Sequence, residues 1–593
     1  MKYQIIMRLL RIEVTLLLLT LLFGGCEEFL SPVNDNHNGI NRLYEDPGIA
    51  EGLLMKGYAQ IPSQGLQSSD YATDDAVTNV TSDYFARMAT GEWSSQFNPM
   101  TQWSSSLTAV FYINKFLTIV DTVPWKWTNP STNQLFIRRL KGEAYAIRGL
   151  AQYTGLVSVA GYSGSGELLG IPLYDKFVEV GGNFNIPRAT FNESIERIYS
   201  DFDKALEYLT MDDFYKNIDS TDQLPPGYED VTVGDYNLVF GDVNNQRISG
   251  RIVRAMKARV ALLAASPAFS NGDITLWDNA ANFAGTAIQR LEGIAGLDPD
   301  GHKFFQPALI DNILLPARDQ KEVVWRYAIG TNNYVETENF PPSLFGLGRM
   351  NPTQNLVDAF PMANGYPISH ALSHFNPANP YFGRDPRLSL YIVYNKSSLK
   401  GQTIITAVGG GRNAKDSLST STRTGYYLKK HLREDVNLDP VSSTTKKHYD
   451  VRMRYTELFL IYAEAANEAW GPDGTGSYGF SARDVIAAIR NRAGLAQPDN
   501  YLSSISSTEE MRQLIRNERR LELCFEGFRF WDLRRWKADL TKPAIGINID
   551  KNAVNFTPVQ VESRVYDNSY MHYGPVPYNE VLRFDKIEQN NGW

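Results

Sequence analysis

Alanine-lined helical faces constrain this 593-residue chain more than any other feature. Within 251–265, Ile252, Ala255, Met256, Val260 and Leu263 recur at helical spacing, and Ala258, Ala261, Ala264 and Ala265 crowd the same segment. The same period runs through 136–157 (Leu140, Ala144, Ile147, Ala151), 191–209 (Phe191, Ile195, Ile198, Phe202, Ala205, Leu209) and 453–470 (Leu458, Phe459, Ile461, Tyr462, Ala465, Ala466, Ala469). Apolar residues three and four apart make one face of a helix, which must bury against a neighbour. Small side chains let the axes approach closely, so these segments predict paired helices stacked like tetratricopeptide repeats, although no strict 34-residue period is readable. Ser481, with Asp484 three residues on, predicts a helix start at 482, and the Glu- and Arg-rich run 508–523 reads as a further helix.

Long irregular stretches separate these helices: 210–247, 293–385 and 401–425, the last carrying Gly409, Gly410 and Gly411. Loops of this length in a compact protein are functional or mobile. The expected fold class is therefore mostly α, a helical repeat array of about four helix pairs whose long loops form a ligand-binding face.

Hydrophobic residues at 43% and charged residues at 21% are globular values, and the net charge of −8 argues against nucleic acid, which needs clustered Lys and Arg. The first residues carry an address. Lys2, Arg8 and Arg11 precede an apolar run from Val14 to Phe23, then Gly24, Gly25 and Cys26. A basic front, a short apolar stretch and small residues make a secretory signal peptide over 1–25, too short to span a bilayer. Cys26 stands where a bacterial lipoprotein is acylated. The other cysteine, Cys524, lies in a helical pattern and reads as a buried small hydrophobe. Cleavage after residue 25 removes a net +2 and leaves the mature chain at −10; acyl chains would hold such an acidic chain at a membrane without anionic lipid.

Motifs for covalent chemistry are sparse. His370 and His374 have metal-ligand spacing only if helical, and the intervening Ala-Leu-Ser offers no base, so both read as loop histidines. Two cysteines cannot build a Cys-type zinc site. Gly474 to Gly479 matches GxGxxG but follows a helix rather than a strand, so it reads as a connecting loop. Asp74-Asp75 and Asp212-Asp213 read as surface acids. No cofactor is expected; loop carboxylates suit structural calcium, but no twelve-residue EF-hand loop is present.

The aromatics are richer. Trp93, Trp103, Trp125 and Trp127 lie close together in sequence, with Tyr71, Tyr84 and Phe97, and Arg87, Gln96 and Asn98 are interleaved. A sugar ring offers an apolar C–H face to an indole or phenol and a polar rim to amides and guanidinium groups. Arg87, Trp93, Asn98, Trp103 and Tyr334 are the expected ligand-binding residues.

A series of motifs runs along the chain: Phe29-Leu30 after Cys26, Arg139 to Tyr153, Pro187-Arg188, Lys257 to Leu263, Pro352 to Gly365, Arg384-Asp385-Pro386-Arg387-Leu388 and Thr424 to Lys430. Arg454 to Ala465, Ile489 to Leu495, Ile515 to Leu523, Phe525 to Leu533 and the ending Asn590-Asn591-Gly592-Trp593 complete it. Together these resemble the SusD/RagB-like outer-membrane nutrient-binding lipoproteins. Phe29-Leu30 is similar to the family's opening, Arg139 to Tyr153 resembles its first long helix, Pro187-Arg188 leads into the next, and Lys257 to Leu263 resembles a helix of the second repeat. Physically these signatures read as structural. Glu464, Arg490, Arg492, Glu518 and Arg519 would form buried ion pairs tying helices together, with Arg529, Trp531 and Asp532 a packing corner.

The resemblance implies one domain over 26–593, with an N-terminal part about 26–240 and a C-terminal part about 290–593. It also implies a lid-like role, facing outward from the outer membrane, over a SusC-like TonB-dependent barrel. The expected function is non-catalytic capture of an oligosaccharide or polysaccharide and its delivery to that transporter. The alternatives are a peptide-binding importer subunit, a surface glycoside hydrolase, which would need two carboxylates facing across a cleft, and an assembly protein that binds no nutrient.

Overall fold

The computed structural model describes residues 42–62, 66–209, 215–313 and 319–593. The expected signal peptide, Cys26, Phe29-Leu30 and Asp212-Asp213 lie outside the described residues.

Ten helices frame the molecule: α1 (Pro47–Ala59), α2 (Trp103–Ile119), α3 (Pro130–Val159), α4 (Phe191–Leu209), α5 (Gly250–Ala265), α6 (Thr275–Gln289), α7 (Tyr455–Trp470), α8 (Ala482–Arg492), α9 (Thr508–Glu522) and α10 (Arg529–Arg535). Their starts are chemically marked. Asn129 accepts a hydrogen bond from the Thr132 amide ahead of Pro130, which lacks the amide hydrogen that a first turn leaves unpaired. Ser481 and Asp484 form a reciprocal capping box at α8, as do Ser507 and Glu510 at α9.

The apolar faces read from sequence meet one another. α3 packs on α2 and α4, α5 on α4, α6 and α7, and α7 on α8 and α9. Leu140, Ala144, Ile147, Phe202, Ala255, Ala258, Ala261, Leu458 and Ile461 share one continuous core. Close approach is enforced at Gly149, where an added Cβ would stand 2.8 Å from the Phe202 ring. Among the described residues no helix is long and apolar enough to cross a membrane.

Among the described residues, the long segments between helices carry short strands and helical turns. Antiparallel pairs form between β1 (Ala76–Thr78) and β3 (Met350–Pro352), between β2 (Val323–Arg326) and β4 (Val451–Arg454), and between β5 (Ala544–Ile549) and β6 (Phe556–Glu562). They cover a second core that includes Phe340, Leu356, Phe360, Tyr391, Tyr427 and Phe525.

A buried ionic seam joins the two layers. Arg387 meets Asp385 at 2.7 Å, Glu518 at 2.9 Å and Glu522 at 3.0 Å. Arg454 bridges Glu322 at 2.7 Å and Glu526 at 2.8 Å, while Arg490 reaches Asp499 at 2.6 Å and Glu518 at 2.8 Å. Such pairs hold only when nearly every donor and acceptor is matched, so they fix the register of α8 and α9 against the loop layer.

The expected ion pairing needs redistribution. Glu464 does not meet Arg490, Arg492 or Arg519. It accepts from Arg535 at 2.6 and 2.7 Å and from the Trp536 indole at 2.7 Å. Burial would raise its carboxyl, but the Arg535 charge and hydrogen bonds bring it down to about 2. Arg519 pairs instead with Asp532 at 2.8 Å. Asp74 and Asp75, expected on the surface, are buried beneath Arg520 and Arg529. Two guanidinium groups neutralise two adjacent carboxylates there, which lets acidic residues lie inside.

His370 and His374 flank the single turn Ala371–Ser373 as its two caps, and His374 takes a left-handed backbone. Gly474 to Gly479 lies between α7 and α8, and Cys524 is buried.

Candidate functional site

The segment 83–101 carries the candidate site. Asp83 accepts hydrogen bonds from the Phe85 and Ala86 amides and so starts the short helix Tyr84–Arg87. Placed at its first position, Tyr84 is 64% exposed. The chain then widens through Met88–Glu92 and turns at Gly91, whose φ of +112° is open to glycine and costly for other residues. That turn sends Trp93 inward and leaves Ser94–Asn98 along the surface, with Met100 buried again beyond it.

Tyr84 and Phe97 bring their ring centres to 5.9 Å, and the Arg87 guanidinium lies 4.4 Å over Phe97. Glu92 accepts from Arg87 Nε at 2.9 and 3.0 Å and holds that guanidinium flat. Beside this platform runs a shallow polar groove lined by Ser95, Gln96, Asn98, Thr101, Tyr578 and Asn579. The Tyr578 amide donates to the Ser95 carbonyl at 3.0 Å, and its ring is 43% exposed. Asn98 Oδ1 accepts from Trp93 Nε1 and from the Met100 amide, each at 3.0 Å, while its Nδ2 has no partner among the described residues. Exposed rings, a flat cation and the exposed amides of Gln96 and Asn579 offer stacking and hydrogen bonding together.

The expected site residues separate. Arg87 is at this surface; Asn98 lines the groove, but its amide turns inward, with Oδ1 engaged and Nδ2 buried. Trp93 is not: it is 4% exposed, with Trp593 at 4.7 Å, Phe530 at 5.6 Å and Tyr566 at 5.9 Å between ring centres. Trp103 begins α2 and is buried in the helical core. Stacking roles for these two indoles give way to packing, because a wide apolar ring is driven inside wherever a pocket can take it. Trp125 is buried too and donates to the Val120 carbonyl, and Tyr71 lies in the loop-layer core. Tyr334 is 68% exposed on the separate helix Tyr334–Asn339. The contributions of Tyr578 and Asn579 carry no sequence signal, since they meet residue 95 from the far end of the chain.

Helix-paired architecture carries a solvent-facing aromatic and amide surface suited to holding a ligand by contact. Two family models match: the SusD family over residues 320–593, and a SusD-like family described as "Starch-binding associating with outer membrane" over 50–221. The chain belongs to the SusD/RagB-like family. SusD-like protein P2 of Formosa agariphila is 32% identical over 145 residues, and SusD-like protein P38 of the same organism 30% over 124. These matches span 24% and 20% of this chain and only 25% and 22% of the relatives' own lengths. In fold, a SusD-like protein from Bacteroides fragilis superposes with a TM-score of 0.69 at 22% identity, covering 95% of this chain and all of the other. A SusD-like carbohydrate-binding protein of the same species gives 0.66 at 17%, covering 92% and 99%. A laminarin-binding SusD-like protein gives 0.53 at 18%, covering 93% and 100%.

Proposed function

We propose that the chain is a non-catalytic glycan receptor, held at the outer membrane through a lipid on Cys26 and delivering oligosaccharide to a SusC-like TonB-dependent transporter. The carrying observation is the surface formed by Tyr84, Phe97, Arg87 and Gln96 beside Tyr578 and Asn579. Ring faces take the apolar side of a sugar, and the amides and guanidinium take its hydroxyls. Capture and release need no bond making or breaking. The family descriptions support a glucan, since one names starch and one fold relative binds laminarin.

Calorimetry of the mature chain against starch and laminarin oligosaccharides tests this reading. Heat of binding that falls at least tenfold in affinity for the Tyr84→Ala and Phe97→Ala double variant is the expected result. Unchanged affinity in that variant, or no binding to any oligosaccharide or polysaccharide offered, would overturn it.

A further inference from the structure

Behind the platform segment lies a partly open cavity. Much of its wall is apolar, with Phe85, Met100, Leu262, Leu263, Phe269 and Phe528 among the lining residues. Its charged lining is unbalanced: Arg259, Arg519, Arg534 and Arg535 face only Glu457 and Asp532.

Three of those cations are accounted for. Arg259 holds Glu457, Arg519 holds Asp532, and Arg535 holds Asp532 and Glu464. Arg534 meets no carboxylate among the described residues. It is 3% exposed, donates from Nε to the His572 carbonyl at 2.9 Å, and lies 5.1 to 5.8 Å from the rings of Trp531, Phe530 and Trp93. Among the described residues its Nη2 has no partner, and neither has Nη1 of Arg519, but both atoms are sealed from solvent, so a ligand meets the Arg534 guanidinium at its remaining edge, where it lines the cavity. Burial pulls the Arg534 guanidinium down to about 9, so it remains a cation at neutral pH and carries the desolvation cost of an uncompensated charge. Aromatic faces offset part of that cost. A bound anion would offset the rest.

We propose that this cavity is a second ligand site, for a small amphiphilic carboxylate whose apolar body fills the walls and whose carboxylate meets Arg534. The requirement follows from the two features together. An apolar cavity alone accepts a neutral hydrocarbon, and a lone surface arginine accepts any anion. A buried arginine without an acid, on an apolar wall, selects a molecule with both parts.

Octanoate and octanol, which share a chain and differ in headgroup, are the probes, titrated calorimetrically into the mature chain. Octanoate binding at least tenfold tighter than octanol is expected, with Arg534→Gln bringing the two together. Thr154→Trp, which places an indole into the cavity from the half-buried wall of α3, should weaken both probes. Octanoate bound no tighter than octanol, no heat with octanoate, or a headgroup preference that survives Arg534→Gln would each overturn the proposal. Should Arg534→Gln fail to fold, the headgroup comparison in the unsubstituted chain and the Thr154→Trp titration decide it.

Discussion

Glu464 is the point where one substitution tests how α10 is held against α7. Its two oxygens take three hydrogen bonds, from both terminal nitrogens of Arg535 and from the Trp536 indole, at 2.6 to 2.7 Å. Replacing it by alanine leaves the Arg535 guanidinium buried with Asp532 Oδ1 at 2.8 Å and Ser266 Oγ at 3.1 Å, and leaves the indole N–H unpaired. Removing one partner of a buried pair costs about 3–5 kcal/mol. The retained Asp532 contact places Glu464→Ala toward the lower end, and the orphaned indole adds about 1–3 kcal/mol. The sum is on the order of 5 kcal/mol. Arg535→Met alone removes the cation and leaves Glu464 uncompensated, so it should cost a similar amount. The double variant, with neither charge, should cost clearly less than the two single losses added together. Urea denaturation followed by tryptophan fluorescence measures all three. A Glu464→Ala loss below about 1 kcal/mol, or strict additivity of the pair, would refute the argument that this carboxylate and guanidinium are an interdependent buried unit.

Further outcomes follow from other sites. Trp93→Ala should cost about 3–5 kcal/mol of stability, as a buried aromatic removed from a packed cluster does, whereas Tyr84→Ala should leave denaturation unchanged and weaken oligosaccharide binding about tenfold, equivalent to about 1.4 kcal/mol. Gly91→Ala forces a side chain to adopt a φ of +112° with its Cβ 3.2 Å from Val565, so a loss of about 1–3 kcal/mol is expected by urea denaturation. Asp70 is pushed up to about 8 by burial and then by Asp75. Folding thus keeps it protonated where the unfolded chain ionises it. Its contribution is complete below the ordinary carboxylate range and is lost as pH rises toward 8, by several kcal/mol at about 1.4 per pKa unit. Stability measured from pH 5 to 8 should therefore fall more steeply in the unsubstituted chain than in Asp70→Asn, and parallel curves would contradict the assignment.

Much of the helical frame was legible because its signals are local. Periodicity in 136–157, 191–209, 251–265 and 453–470 marks α3, α4, α5 and α7, and the Ser481 to Asp484 spacing marks the start of α8, since a helix face and a cap are written within a few residues. Partner choice was not local. Glu464 lies on an apolar helix in either reading, but whether Arg519 or Arg535 reaches it depends on how α10 turns back onto α7.

The amino-acid sequence by itself determined that apolar helix faces must pair and that aromatic residues gather in 84–127. It also carried the motifs that place the chain in its family. Only the tertiary structure decided which aromatic rings face water. Trp93 and Tyr84 are nine residues apart and equally fit to stack on a sugar, yet the turn at Gly91 and the arrival of Phe530, Tyr566 and Trp593 bury one and leave the other exposed. The same holds for Asp74 and Asp75, whose burial depends on Arg520 and Arg529 coming from more than four hundred residues away. Composition sets how much must be buried; the long-range contacts that assign each side chain to the inside or the surface exist only once the chain has closed on itself.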